Sequence, residues 1–251
     1  MTISVLTKSD VLNLKELARS SKSRYEFSKA VVEGRRAIDG ALRCGAILEQ
    51  LLLVKGSDVN LDIDESKIVY IDEKSLEKIS TTQKPQNVIG IFQIPKFDQN
   101  IKGKIFVLDH VSDPGNIGTI IRSALAFGID AIVAIGGCDF YNTKVIRSSA
   151  GNVFGIPTFA LTEIEAEQLL SKFEIYVTDL QANEEISDIK FKQNAAIVLG
   201  NEANGIISEI FAKNTRKFKI PMQELSESLN VAMTATIIAY KLAEPKEKNA
   251  S

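Results

Sequence analysis

The sequence predicts an α/β protein, and three observations carry that prediction. Short, almost wholly apolar runs recur along the second half, as in residues 105–108, 131–135 and 195–199. Between them lie segments whose apolar residues fall at helical spacing. The first half alternates in the same way with shorter elements. Continuous apolar strands separated by helices are the pattern of a mostly parallel sheet covered on both faces.

Taken in order, residues 8–18 read as a helix, with Val11, Leu12, Leu14 and Leu17 at helical spacing. Residues 20–24 read as a polar break. Phe27 and residues 31–34 read as a strand ending in a turn, and 35–44 as a helix. Residues 51–54, 68–71 and 88–92 are strand candidates, with a helix over 73–80. These elements predict a small α/β sandwich over residues 1–95, followed by a linker over 96–103. A larger domain, 104–243, follows. Its strands are expected at 105–108, 131–135, 157–160, 175–178, 195–199 and 217–220. Its helices are expected at 119–127, 143–149, 163–171, 207–212 and 229–242. The polar tail, 244–251, is expected to be disordered.

With 251 residues the chain can bury a substantial core. Its 45% hydrophobic and 25% charged content is that of a soluble globular protein. No apolar run approaches the roughly 18 residues that cross a bilayer, and the start lacks the layout of a secretory signal. Cys44 and Cys138 lie far apart with no CxxC or Cys/His cluster, which argues against a disulfide or a metal site and fits a reducing cytoplasm. A net charge of −2 speaks against indiscriminate nucleic-acid binding. Positive charge is nevertheless concentrated in the first 43 residues, where Arg24, Arg35 and Arg36 are candidate RNA contacts.

Three motifs carry the chemistry. The first, Asp113-Pro-Gly-Asn116-Ile-Gly-Thr-Ile-Ile-Arg122, leaves a strand and enters a helix. Ligands of α/β folds bind at such strand ends, helix amides there receive oxygen or phosphate, and Arg122 can grip a phosphate. The second, Leu199-Gly200-Asn201-Glu202, follows a buried strand, where a glycine permits close approach and a carboxylate can orient a polar group. The third runs from Ile220 and Met222 to Ser228-Leu229-Asn230 at a helix start. Taken singly, each has an ordinary explanation: Asn116, Ser228 and Asn230 as helix caps, Arg122 on a wet face, and Gly200 in a simple turn. The lone histidine, His110, sits at a strand end and is read as structural. Neither a GxGxxG turn after the first strand nor a GxxxxGK[ST] loop is present, which sets aside a nucleotide-dependent oxidoreductase.

In this order and at these separations the three motifs resemble those of the SpoU/TrmH family of RNA ribose 2′-O-methyltransferases, the SPOUT class. The resemblance covers roughly residues 104–243. The first half resembles the ribosomal-protein-like RNA-binding domain of two-part members, chiefly through Ala30-Val-Val-Glu-Gly-Arg-Arg-Ala37. It implies a deep trefoil-knotted C-terminal domain, S-adenosyl-L-methionine as methyl donor, and a homodimer formed through the C-terminal helix. It further implies that Asn116, Arg122, Glu202, Ser228 and Asn230 serve catalysis. Leu199, Gly200, Ile220, Met222 and Leu229 would cradle the donor, and Arg122 would also hold RNA. The family proposes Arg122 as the base. Because a guanidinium stays protonated at neutral pH, stabilising a developing alkoxide and positioning a phosphate suits it better. The chain departs from the family pattern at Ala203 and Glu224, where glycine is usual. The N-terminal domain favours 23S ribosomal RNA as target. Transfer RNA, or a noncatalytic RNA-binding or ribosome-assembly role on the same scaffold, are the alternatives.

Overall fold

The computed structural model describes residues 6–57, 61–201, 203–212, 215–223, 225 and 227–243. Packing divides the chain into two units: Met1–Lys96 with Asp139–Gly155, and Phe97–Cys138 with Ile156–Ser251.

In the first unit, α1 (Lys8–Arg19) starts from a capping box. The Thr7 hydroxyl accepts from the Asp10 amide, and the Asp10 carboxylate accepts from the Thr7 amide. Val11, Leu17 and Ala18 are buried, whereas Leu12 stands exposed and is not part of the core its spacing suggested. The expected break over 20–24 is the start of a second helix, α2 (Ser21–Phe27). The break itself is confined to Ser20, whose extended backbone ends α1 and whose hydroxyl caps α2. Phe27 therefore closes a helix rather than opening a strand.

There follow β1 (Lys29–Glu33), α3 (Arg35–Arg43), β2 (Leu48–Val54), β3 (Ile68–Ile71), α4 (Glu73–Ile79) and β4 (Val88–Gln93). The sheet order is β1-β4-β2-β3, antiparallel except for the parallel β2–β3 pair. One face carries Val31, Leu52, Val69, Ile71, Ile89 and Ile91 into a core closed by α1 and α4.

The chain continues with β5 (Lys104–Asp109), α5 (Pro114–Ala126), β6 (Ala131–Ile135), α6 (Thr143–Ser148), β7 (Thr158–Leu161), α7 (Glu163–Leu170), β8 (Glu174–Thr178), β9 (Ala195–Gly200), β10 (Thr215–Phe218) and α8 (Val231–Ala243). Among the described residues the second unit's sheet has the order β10-β8-β9-β5-β6-β7, and every pair is parallel. The central strands are apolar throughout because both their faces are covered. Residues 105–108 and 195–199 are fully buried, each large side chain contributing about 1.5–3 kcal/mol of burial. Phe97 and Ile101 pack against this core, so the segment 96–103 is not a free linker.

Three further expectations need correction. The helix expected over 207–212 is a single 3-10 turn, Glu209–Phe211, because the Ile207 and Ser208 amides are drawn to the Asp109 carboxylate. The strand expected over 217–220 ends at Phe218, and Ile220 turns out of the sheet. The helix expected from 119 begins at Pro114, a residue that suits the first helical turn.

The segment Asp139–Gly155 leaves the second unit's sheet after β6 and belongs to the first unit. Buried Arg24 pairs with Asp139 and donates to the Leu17 carbonyl at 2.8 Å. Thr143 meets Thr81 at 2.9 Å, and Arg147 lies 3.5 Å from buried Glu33. A Cβ on Gly40 would sit 1.9 Å from the Ala150 carbonyl oxygen, so backbone lies directly on backbone where α3 crosses this segment.

Candidate active site

The carboxyl ends of parallel strands leave their loops on one rim, the usual ligand position in open α/β sheets. The loops after β8, β9 and β10 and the start of α8 there enclose a cavity of about 400 Å³. Leu199, Ile206, Ile220, Met222, Leu229 and Val231 give it apolar walls. Thr178, Asp179, Asn201, Ser228, Asn230 and Thr234 supply polar groups. All five residues expected to cradle a donor, Leu199, Gly200, Ile220, Met222 and Leu229, line this one cavity with Ser228 and Asn230.

Each is held there by local structure. Asn230 caps α8: its Oδ1 accepts from the Ala232 amide at 2.9 Å and the Met233 amide at 3.3 Å. Its Nδ2 donates to Asn116 Oδ1 at 3.0 Å, which ties the first motif to the third. Asn116 itself is not a cap. Asp113 caps α5, accepting from the Asn116 amide at 2.9 Å, and thereby frees the Asn116 side chain to reach α8. One helical turn or more beyond the rim, Ser123 and Thr236 join α5 to α8 through a 2.6 Å hydroxyl pair.

Gly200 is explained by the protein's own backbone. A Cβ there would come within 2.4 Å of the Gly205 carbonyl carbon and 2.8 Å of the Ile206 nitrogen, so the loop folds back directly over it. Asn201 fixes that loop. It exchanges two 2.8 Å backbone bonds with Gly205, its Oδ1 accepts from the Ala203 amide, and its Nδ2 donates to the His110 carbonyl at 3.0 Å. The mild departure at Ala203 is thus accommodated in a turn.

Other expected residues fall elsewhere. Arg122 is exposed on α5 and does not line the cavity. Six residues from Asn116 place it about 120° away around the helix axis, so the two do not share a face. Arg24 is only 1% exposed and engaged by Asp139 and Leu17, which removes it from the candidate RNA contacts. A cation in a Ser/Lys-rich stretch reads as surface, but this one is sealed under the Asp139 segment. Arg35 and Arg36 are exposed in the first turn of α3. Glu202 and Glu224 lie outside the described residues. Among the described residues no cluster of histidine, cysteine, aspartate or glutamate could hold a metal ion.

The sequence reading gave no role to Asp109 or Asp179, and it named Asn201 in the second motif without assigning it one. Asp179 lines the cavity; the Lys217 ammonium, bonded to it at 2.9 Å, holds its carboxyl below the ordinary value. Asp109 is fully buried at the end of β5. Burial alone would raise its pKa, but the Ser208 hydroxyl and amide, the Ile207 amide and His110 outweigh it and keep it ionised below the usual range. A lone acid closing the run Ile-Phe-Val-Leu is the signal that marks it.

Comparison with known proteins agrees with this geometry. Residues 103–240 match the SpoU rRNA methylase family, and residues 8–90 match the MRM3-like substrate binding domain. The chain is 29% identical over 231 residues to a 23S rRNA (guanosine(2553)-2′-O)-methyltransferase of Bacillus subtilis, covering 89% of this chain and 92% of the relative. An RNA 2′-O ribose methyltransferase of known structure superposes with a TM-score of 0.74 at 28% identity, covering 95% of this chain and 98% of that one. An AdoMet-bound rRNA methyltransferase from Sinorhizobium meliloti gives 0.78 at 25% identity, covering 95% and 97%. With more than half its length matched, this chain belongs to the SpoU rRNA methylase family.

Proposed function

We propose that the protein transfers a methyl group from S-adenosyl-L-methionine to a ribose 2′-hydroxyl of RNA, with 23S ribosomal RNA as the target. The observation that carries this is the convergence of Leu199, Gly200, Ile220, Met222, Ser228, Leu229 and Asn230 on one cavity, with Asn116 bonded to Asn230. The cavity's volume lies within the roughly 300–1,000 Å³ typical of small-molecule sites. Its walls combine apolar side chains suited to a purine with a few polar groups, so the residues present fit the donor. The activity named for the Bacillus relative and the match of the first unit to a substrate-binding domain support ribosomal RNA.

When bound, the donor supplies an electrophilic methyl on a sulfonium centre. Leu199, Ile220, Met222 and Leu229 exclude water from the apolar part of the cavity. Ser228 and Asn230, at the α8 start, can hold a ribose oxygen, and the Asn116 bond fixes the Asn230 carboxamide so that no rotamer search precedes reaction. Arg122, exposed on α5 and outside the cavity lining, is permanently cationic and is suited to gripping an RNA phosphate, not to taking a proton. Arg35 and Arg36 are our RNA contacts in the first unit.

Two parts of this reading go further. Met233, Ile237 and Tyr240 are exposed at i, i+4 and i+7 on α8, an apolar stripe suited to pairing with a second copy. The family's trefoil-knotted path is taken to run through the loops around the cavity. No helix among the described residues is long and apolar enough to cross a membrane, and we assign the protein to the cytoplasm.

Labelled methyl donor, offered ribosomal RNA and transfer RNA in parallel, tests the reading. Label is expected in alkali-resistant dinucleotides from ribosomal RNA, because a methylated 2′-oxygen cannot attack its neighbouring phosphate. Label in mononucleotides would mean base methylation and would overturn the chemistry. Transfer to transfer RNA alone would overturn the target.

A further inference from the structure

We propose that Asp109 is a positioning residue of the donor cavity, acting through the loop that runs from Asn201 to Ser208; this rests on the functional reading above.

Asp109 ends β5, and its register partner on β9 is Gly200, so the carboxylate lies where the cavity-lining loop begins. Its two oxygens are fully committed. Oδ2 accepts from the Ile207 amide at 2.5 Å and the Ser208 amide at 3.0 Å. Oδ1 accepts from the Ser208 hydroxyl at 2.5 Å and lies 2.8 Å from His110 Nδ1. These bonds clamp the far end of the loop, while Asn201 clamps its near end by donating to the His110 carbonyl. His110 therefore links both clamps, and it takes a positive φ of 56° with its ring against Gly136 to do so. Between the clamps run Ala203, Gly205 and Ile206, three residues that line the cavity.

Nothing in the ordinary economy of a fold requires this arrangement. Burying a carboxylate is costly unless it is fully hydrogen-bonded, and an uncharged side chain would cap the same strand. The charge is what lets one small group hold four donors from two separate segments at once. An asparagine has the same shape but turns one oxygen into a donor, which then faces donors. The loop would lose the clamp while the sheet beneath it stays apolar and packed.

Asp109→Asn should therefore weaken donor-site affinity about 10–100-fold, the scale of one or two lost charge-assisted bonds. RNA affinity should stay within about twofold, since the residues it bonds, His110, Ile207 and Ser208, all belong to the second unit. Ser208→Ala, which keeps both amides and removes one hydroxyl, should lose less and should fold normally. Binding of S-adenosylhomocysteine is measured by calorimetry on the full-length wild type and both variants, with hydrogen exchange read at the amides of residues 203–208. Weaker binding with faster exchange in that loop is the expected result. Faster exchange with unchanged affinity, or unchanged exchange in both variants, overturns the proposal. If the wild type binds no S-adenosylhomocysteine, the functional reading itself fails and this proposal falls with it.

Discussion

Asn230 and Asn116, separated by 113 residues of sequence, share a 3.0 Å hydrogen bond that joins the start of α8 to the first turn of α5. One carboxamide thus does two tasks. Its oxygen caps α8 and its nitrogen holds Asn116, so the two halves of the site are fixed by a single planar group.

The two tasks can be separated. Asn230→Ala should lose both, lowering stability by about 1 kcal/mol through the missing cap and methyl transfer roughly 100-fold. Asn230→Asp keeps the cap but sets a carboxylate against Asn116 Oδ1. Its thermal midpoint should match the wild type while kcat stays low. Equal activity in Asp and Asn variants at matched stability would count against the pairing.

The arginines of the first unit should divide by burial. Arg24→Ala leaves Asp139 without its partner and should cost about 3–5 kcal/mol, read as a fall in denaturation midpoint. Arg36→Ala should leave the midpoint in place and weaken RNA binding. Its signature is a reduction of about 0.7–0.9 in the slope of log affinity against log salt.

Acid should unfold the protein partly through Asp109. Its folded pKa lies below the ordinary value, so its contribution is fully present above the unfolded pKa of about 4 and is lost as pH falls through the folded value. The exposed capping carboxylates Asp10, Asp72 and Glu165 shift in the same direction. The gap between the urea midpoints of wild type and Asp109→Asn should hold constant above about pH 4 and narrow only as the pH falls below it; parallel curves in the acid range would exclude a role for this charge.

Gly200→Ala places a methyl on the Gly205 backbone, 2.4 Å from its carbonyl carbon. The loop must shift, at a cost of about 1–3 kcal/mol, and donor binding should fall while RNA binding is kept. Filter binding of RNA beside calorimetry of S-adenosylhomocysteine resolves the two.

If the α8 stripe pairs two copies, Met233→Glu with Ile237→Glu should shift the sedimenting species from dimer to monomer. An unchanged mass would remove α8 from the interface.

What the sequence made legible follows from where water is excluded. Strands buried on both faces, such as 131–135 and 195–199, could be read almost to the residue because every position is apolar. Ile220, Met222 and Asn230 are reached only through the resemblance of their motif to the family, since position at a strand or helix end equally suits an ordinary turn or cap. Residues whose environment is set by distant chain were misread. Ser208 looks helical until Asp109 takes its amide, and Arg24 looks solvated until Asp139 covers it. Asp109 stands out only as a lone acid closing an apolar strand, and nothing local shows that three of its four donors come from Ile207 and Ser208.

The placement of Asp139–Gly155 has a practical consequence. A fragment ending at Lys96 would be missing a piece of its own interior: Arg24 would have no counter-ion, Glu33 would lose Arg147, and α3 would be stripped beside Gly40. The amino-terminal unit is therefore not a cassette that can be cut out or swapped as one contiguous stretch. Exchanging it for a relative's, to redirect the enzyme to another RNA, calls for a two-piece transplant in which the 139–155 excursion travels with residues 1–96.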